Sequence, residues 1–170
     1  MIRTLALVLL AALCLGGCSR STDPLDWKIQ AGDPAELDNW FAKNLHLMPL
    51  ELSDEVIISF NNIKANTPPV PHRGPSNREY GICRKIDGHT VRELLIEGHE
   101  LANRQAMAVI AKQSDMVVRM LADADTLSPE ELKQREAMMN DQLARKSRLE
   151  KTLKAGEARL AELRSRPGSN

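Results

Sequence analysis

The amino-acid sequence predicts an all-α protein: two short N-terminal helices, a proline-rich connection, and then a long antiparallel helical hairpin with coiled-coil-like spacing. Three observations predict this fold. Apolar residues recur at spacings of three and four within residues 33–65, prolines are dense within residues 66–83, and a heptad pattern then continues to the end of the chain. All five aromatic residues precede residue 81, so only the front of the chain offers bulky side chains for a compact core.

The first 17 residues have the composition of a secretory signal peptide. Arg3 supplies an early positive charge, eleven apolar residues follow from Leu5 to Leu15, and small residues then precede Cys18. An apolar run of this length is too short to span a bilayer, which needs about 20 residues. We therefore predict that residues 1–17 are an export signal.

The end of this run, Leu15-Gly16-Gly17-Cys18, resembles the lipobox of bacterial lipoproteins, and the resemblance covers residues 1–18 only. It implies cleavage between Gly17 and Cys18, with Cys18 as a lipid-modified mature N-terminus. Acyl chains contribute about 0.8 kcal/mol for each buried methylene, so three chains would hold the protein on a membrane. Because Ser19 rather than aspartate follows, the resemblance implies the periplasmic face of the outer membrane. The inner membrane and the cell surface stay open as alternatives.

Removal of the signal leaves 153 residues, the size of one domain, with 22 basic and 23 acidic side chains. A balance this close to neutral argues against a nucleic-acid partner, since nucleic-acid-binding proteins carry a basic excess. Cys83 is the one thiol that remains once Cys14 has left and Cys18 is lipidated. It fits a small buried apolar side chain, or it can pair between two chains.

Two short helices are predicted within residues 33–65, after a tether over residues 18–32 that shows no apolar period. Asp33-Pro34-Ala35-Glu36 predicts the first helix start, because the aspartate can accept hydrogen bonds from free N–H groups and the proline has none to donate. Ser53-Asp54-Glu55 predicts the second start. The β-branched run Val56-Ile57-Ile58 also fits a strand, but the cap and the spacing favour a helix.

Residues 66–86 are predicted to form a proline-rich connection without regular secondary structure, because Pro68, Pro69, Pro71 and Pro75 interrupt them. Such a segment can lie as a strap over the helices. It can also serve as a polyproline ligand for a groove.

Residues 87–166 are predicted to form the hairpin, with about 37 residues and roughly 55 Å in each helix. The seam is the line of residues on each helix that faces the other helix. In the first helix, the predicted seam consists of Ile96, Asn103, Met107, Ile110, Ser114, Val117, Leu121 and Ala124. Ser128-Pro129-Glu130-Glu131 is a capping box that predicts the second start. The second seam is Leu132, Met139, Lys146, Leu153 and Leu160, with Leu143, Leu149 and Leu163 alongside. Residues 167–170 are predicted to be a disordered tail.

Two helical patterns near the start of the hairpin carry metal-ligand residue types. His99-Glu100-Leu101-Ala102-Asn103 is similar to the His-Glu-x-x-His motif of zinc metallopeptidases, but Asn103 stands where the second histidine would bind zinc. His89, Glu93, Glu97 and Glu100 fall near one helix face. They can hold a divalent cation or form an exposed acidic face near a helix N-terminus. We predict no metal site.

Residues on both sides of the predicted turn suggest further ligands. The five methionines there (Met107, Met116, Met120, Met138, Met139) can bind copper(I), but such residues more typically fill gaps between helices. Leu127-Ser128-Pro129-Glu130-Glu131 is similar to the Leu-Thr-x-x-Gln motif of periplasmic helical-hairpin stress and metal-resistance proteins. Residues 140–170 carry eight basic and four acidic side chains, which suits either an anionic partner or an exposed charged face.

No nucleophile motif and no glycine-rich phosphate loop is present in the sequence, so we expect no catalytic residues and no cofactor. The expected function is a membrane-anchored periplasmic lipoprotein that acts as a helical scaffold or adaptor. Its lipid on Cys18 contacts the membrane, and its hairpin binds a protein partner or a second copy. A periplasmic inhibitor or immunity protein and a metal- or stress-sensing module are alternatives. A metal-dependent hydrolase is a further alternative.

Overall fold

A computed structural model describes residues 21–70, 77–122 and 127–166 of the chain and confirms the all-α fold with a long hairpin. The helices in these ranges are α1 (Pro34–Asn44), α2 (Leu50–Asn66), α3 (Asn77–Ile86), α4 (Val91–Ala122) and α5 (Pro129–Ser165). Short 3₁₀ turns occur at Pro24–Asp26 and Leu45–Leu47. The described ranges contain no strand, only an isolated antiparallel bridge between Lys28 and Thr90.

The molecule has two parts, the head and the distal arm. The head comprises residues 21–70, α3 and the start of α4 up to residue 102, together with α5 from residue 157 onwards. The distal arm comprises α4 from residue 103 onwards and α5 up to residue 156. Nearly all of the buried apolar core lies in the head, and α5 contributes only Leu160 and Leu163 to the fully buried set.

Residues 21–31, which we predicted as part of a tether, are packed into the head. Leu25, Ile29 and Ala31 are at most 4% exposed. The Ile29 N–H donates to the His89 carbonyl at 2.8 Å, and the Val91 N–H donates to the Trp27 carbonyl at 2.9 Å. The apolar residues of this segment do not recur at a regular spacing, because the segment forms no long helix or strand of its own. Neighbours that are remote in sequence bury these residues instead.

Helix α1 is capped by a side chain at its start, whereas α2 begins after a proline without a side-chain cap. The Glu36 N–H donates to the Asp33 carboxylate at 2.8 Å, and the Gly32 N–H donates to the Glu36 carboxylate at 3.0 Å, which confirms the predicted start of α1. Helix α2 begins at Leu50, three residues earlier than predicted, directly after Pro49. Its buried residues, Val56, Ser59 and Ile63, share one helical face, so the strand alternative does not hold.

Helix α3 corrects the prediction that residues 66–86 lack regular structure. The prolines end at Pro75, and Ile82, Cys83 and Ile86 then recur at helical spacing and are at most 1% exposed. The helix lies close to the preceding segment, because a Cβ at Gly81 would be only 3.2 Å from the Pro68 carbonyl oxygen. The short turn from α3 to α4 passes through Gly88 at φ 76°, a conformation that glycine adopts without strain.

Helices α4 and α5 form the predicted antiparallel hairpin, and the capping box at Ser128 is present. At the turn end, Arg135 donates to the Met120 carbonyl at 2.9 Å. At the head end, Arg92 donates to the Leu163 carbonyl at 3.3 Å. The two helices are therefore in contact along their whole described length.

The hairpin seam differs from the prediction at alternate positions. Ile96, Asn103, Ile110 and Val117 are half-buried as predicted, but Met107 and Leu121 are 49% and 55% exposed. Ser114 is also half-buried as predicted, and so are Ala106, Gln113 and Met120, which precede Met107, Ser114 and Leu121 by one position. On α5, the predicted residues Leu132, Met139, Lys146, Leu153 and Leu160 are half-buried or buried, whereas Leu143 is exposed and Gln142 is half-buried. The prediction followed the larger apolar residue at each turn, whereas the half-buried side of α4 lies slightly to one side of that line.

We expect Gly98→Ala to lower the free energy of unfolding by about 1–3 kcal/mol, because α2 and α4 cross there without room for a side chain. A Cβ at Gly98 would lie 2.6 Å from the Ser59 Cα, which is backbone and cannot move aside. Urea unfolding of the full chain measures the effect.

Gly156→Ala is the matched control, since its Cβ would meet the side chain of Asn103, which can rotate away. Alanine also has a better helix propensity than glycine by about 1 kcal/mol. We expect this variant to be neutral or stabilising. Equal losses in both variants would contradict the close crossing of α2 and α4.

Candidate functional site

Three ionisable side chains from three helices form a cluster at the base of the hairpin. Glu55 of α2 lies 2.7 Å from His99 Nε2 of α4. Arg159 of α5 donates two hydrogen bonds to the same carboxylate, both at 2.8 Å. Arg159 also donates to Glu162 at 2.6 Å. A carboxylate bound by both arms of a guanidinium is a strong and directional contact, so the cluster fixes α5 against the head.

The charges of Glu55 and Arg159 are stable near neutral pH. Burial raises the pKa of Glu55, but the hydrogen bonds from His99 and Arg159 outweigh burial and lower it to about 2. The hydrogen bond to Glu55 raises the pKa of Arg159 above its ordinary value. Glu55 is therefore a permanent anion with both oxygens engaged, which suits a structural contact and not a group that accepts and returns protons.

The residues of the His-Glu-x-x-Asn sequence are not brought together around one point. His99 contacts Glu55, and Glu100 accepts from Arg164 at 2.6 Å. Asn103 lies against α5, because a Cβ added at Gly156 would be 3.2 Å from the Cγ of Asn103. Within the described ranges, no group of three or more His, Cys, Asp and Glu side chains is placed to hold a metal ion.

The acidic residues of the neighbouring face are engaged with separate partners. The Thr90 N–H donates to the Glu93 carboxylate at 2.7 Å, and this hydrogen bond lowers the pKa of Glu93. Glu97 forms an ion pair with Lys85, which joins α4 to α3. This face therefore holds the start of α4 in the head.

The sulfur residues are divided between core and surface. Cys83 is 1% exposed and lines a cavity of about 110 Å³ beside Phe41 and Phe60. Burial and the neighbouring acidic side chains raise the pKa of its thiol to about 11, so Cys83 is a neutral thiol at neutral pH. Of the five hairpin methionines, Met107, Met116 and Met138 are exposed, whereas Met120 and Met139 are half-buried.

The basic residues of α5 are mostly paired within the chain. Five of the eight form ion pairs with acidic side chains: Arg145, Lys146, Arg159, Arg164 and Arg166. Their partners are on α5 itself or on α2 and α4. Apart from the partly buried Arg159 pair, these pairs are exposed and contribute about 0–1 kcal/mol each, which is typical of a solvated charged face.

The distal arm carries the exposed apolar surface that the rest of the fold leaves uncovered. Seven large apolar side chains there are between 43% and 64% exposed: Met107, Val109, Met116, Val118, Leu121, Met138 and Leu143. Met107, Val118 and Leu121 share one side of α4, whereas Val109 and Met116 lie on the opposite side. Apolar side chains that are exposed together on one side of a helix mark interaction sites in folded proteins. Sequence reasoning missed this surface because it placed Met107, Leu121 and Leu143 with the hairpin seam. Val118 was available as a signal, since it lies outside any predicted seam.

Gly17 and Cys18, the residues of the predicted cleavage and lipid attachment, lie outside the described residues. None of the helices within residues 21–70, 77–122 and 127–166 combines the length and apolar character needed to cross a membrane. No family model matches the chain, and comparisons with curated proteins and with solved structures find no match.

We expect the stabilisation by Glu55 to depend on pH. The pKa of Glu55 is about 2 in the folded chain, compared with 4.5 for an unperturbed glutamate. The contribution of Glu55 to the free energy of unfolding is therefore fully present above pH 4.5 and is lost as the pH falls towards 2. Glu55→Gln should lower the free energy of unfolding at pH 7 by about 2 kcal/mol, since the Arg159 guanidinium loses its counter-ion. Wild type and variant should converge near pH 2.

Urea unfolding between pH 2 and pH 7 measures this difference. Glu51→Gln, at an exposed position on the same helix, is the control and should follow the wild type at every pH. A loss in Glu55→Gln that is the same at pH 2 and pH 7 would show that the carboxylate charge is not the source of the stabilisation.

Proposed function

We propose that this protein is a lipid-anchored periplasmic scaffold whose helical hairpin binds another protein chain, without a catalytic role of its own. The proposed address is the periplasmic face of the outer membrane. The observation that carries the binding role is one side of α4 in the distal arm, where Met107, Val118 and Leu121 are 49%, 64% and 55% exposed without a partner helix among the described residues. The lipobox-like residues Leu15-Gly16-Gly17-Cys18 support the anchor.

The packing of the N-terminal segment supports a close attachment of the head to the membrane. Ser21, the first described residue, is already part of the head, because its carbonyl accepts a hydrogen bond from the Trp27 indole at 2.7 Å. Three residue steps separate Ser21 from Cys18, and an extended chain covers at most about 11 Å over that distance. A lipid on Cys18 would thus hold the head at the membrane surface, with no long tether between them.

The hairpin starts at this attached end. The first residue of α4, Val91, donates its N–H to the Trp27 carbonyl, so the helix begins beside the N-terminal segment. Helix α4 has 32 residues, which correspond to about 48 Å. The apolar surface lies in the second half of that length. A scaffold with this geometry presents its binding surface at a set distance from its anchor.

The lipid anchor predicts a specific mature N-terminus. We expect the intact mass of the protein from bacterial membranes to correspond to a chain that begins at Cys18 and carries fatty acyl groups. Cys18→Ala should abolish fatty-acid labelling, because the thioether can no longer form. Cys83→Ala changes the other thiol of the mature chain and should keep the label. An unmodified Cys18, or a mature chain that begins elsewhere, would refute the anchor.

The binding surface predicts where a partner is contacted. A photo-crosslinking amino acid at Val118, which is 64% exposed in the distal arm, should give a discrete crosslinked species in intact membranes. The same probe at Leu50, which is 71% exposed in the head, is the matched control and should not. Equal crosslinking at the two positions, or none at Val118, would argue against the distal arm as the binding surface.

A further inference from the structure

A cavity of about 110 Å³ lies between the first three helices of the head, away from the distal arm. Its wall includes Leu37 and Phe41 of α1, Phe60 of α2, and Ile82 and Cys83 of α3. Because protein interiors are close-packed, voids larger than a water molecule are few in a domain. Cavities with a mostly apolar wall and a few polar groups are the usual form of small-ligand sites. This cavity is therefore a candidate site for a small ligand.

The cavity has an apolar floor and a charged rim. Leu37, Ile82 and Cys83 are at most 4% exposed, so they form the floor. Asp38 and Glu79 also line the cavity but are exposed to solvent, so they lie at its mouth. A ligand that fits this arrangement has an apolar end for the floor and a polar or charged end for the rim.

The floor has room for a small apolar group. An apolar cavity of about 150 Å³ holds benzene, and the cavity in the head is smaller. Cys83 has the shortest side chain of the three floor residues, so the space beside it is open to a ligand. The apolar end of the ligand is therefore a short alkyl group, of about four carbons.

The charges around the cavity favour a cation. Lys64 is the one basic residue among the described residues that line it, and it pairs with Glu79 at 3.9 Å. The Asp38 carboxylate has no ion pair or hydrogen bond within the described part of the chain. Burial and, after it, the charges of nearby acidic side chains raise the pKa of the Cys83 thiol, which indicates a negative field at the floor. Such a field attracts a positively charged ligand.

Two aromatic rings give the cavity a further means of holding a cation. The ring centroids of Phe41 and Phe60 lie 5.0 Å apart, and the rings are inclined at 72°. An aromatic face attracts an ammonium group within about 6 Å of the ring centroid, and aromatic cages recognise alkylated ammonium ligands. The chain itself makes this contact, because the Lys64 ammonium lies 6.0 Å from the Phe60 centroid. A second ammonium group at the mouth would have both a carboxylate and aromatic rings as partners.

We propose that this cavity binds a small alkylammonium ion. Its alkyl group lies on the apolar floor, and its charged nitrogen lies between the Asp38 carboxylate and the two phenylalanine rings. Neither end is sufficient alone, since an inorganic cation does not fill the floor and a neutral alcohol does not engage the carboxylate charge. The site belongs to the head and is independent of the proposed anchor and of the partner of the distal arm.

Nuclear magnetic resonance titration of the detergent-solubilised full chain at pH 7 tests this site. n-Butylammonium chloride should shift the backbone amide signals of Leu37, Ile82 and Cys83. Its Kd should be about ten-fold lower than that of n-butanol, the neutral counterpart of equal size. Sodium butyrate should leave these signals in place, because its charge is repelled by the acidic rim. Equal Kd values for the amine and the alcohol, shifts with butyrate, or no shifts with the amine would overturn the proposal.

Removal of the carboxylate charge provides a second test. Asp38→Asn should raise the Kd of n-butylammonium about ten-fold and leave that of n-butanol unchanged, because the charge contact alone is lost. The fold should persist, since Asp38 is exposed. Asp54→Asn, at an exposed position of α2 outside the cavity, is the matched control and should leave both Kd values unchanged. Weaker binding of the amine in both variants, or in neither, would overturn the proposed site.

The contact with the rings has a test of its own. Phe60→Leu keeps an apolar wall but removes one aromatic face. It should reduce the preference for n-butylammonium over n-butanol by about three-fold. The ratio of the two Kd values is the readout, because a change in the shape of the cavity acts on both ligands alike. An unchanged or increased preference would contradict the place of the ammonium group beside the rings.

Discussion

The length of α4 compared with the size of the head is the constraint on which the rest of the structure depends. The fully buried residues of α4, namely Val91, Leu94, Leu95 and Gly98, all lie in its first eight positions. The helix contacts α2 as far as Gln105 and then continues for 17 residues to Ala122 with α5 as its neighbour in the described chain. One neighbouring helix covers one face of another, so apolar side chains on the other faces of α4 are left in contact with solvent. The exposed surface of the arm follows directly from this mismatch.

Ionic contacts at the base of the hairpin keep the long helices in a fixed position on the head. Arg92 binds Asp26 at 3.0 Å and the Leu163 carbonyl at 3.3 Å, which joins the N-terminal segment, α4 and α5. The Glu55–His99–Arg159 cluster joins α2 to both long helices. Partly buried contacts of this kind restrict orientation, whereas exposed pairs such as Arg145–Asp141 contribute little. The arm therefore extends from the head in a direction that the head determines.

Sequence reasoning succeeded where the signal is local and failed where it depends on distant neighbours. The helix starts at Asp33 and Ser128 are determined within four residues, so their capping patterns were sufficient. Helix α3 was missed because the prolines before it dominated the pattern of residues 66–86. Periodicity identified Met107 and Leu121 as apolar helix positions but cannot tell which face of α4 has a partner. The contact between Glu55 and Arg159 joins residues 104 positions apart and leaves no local trace.

The packed N-terminal segment changes what the proposed lipid anchor does. With a long tether, an anchored domain would sample many orientations, and its binding surface would lie at varying heights above the membrane. Residues 21–31 are instead part of the head, so the proposed lipid on Cys18 restrains the arm as well as the head. Confinement to a surface raises the effective concentration of one chain near another. A small exposed apolar surface on the arm, too small for tight binding between freely diffusing chains, can then be sufficient for binding between chains that share one membrane.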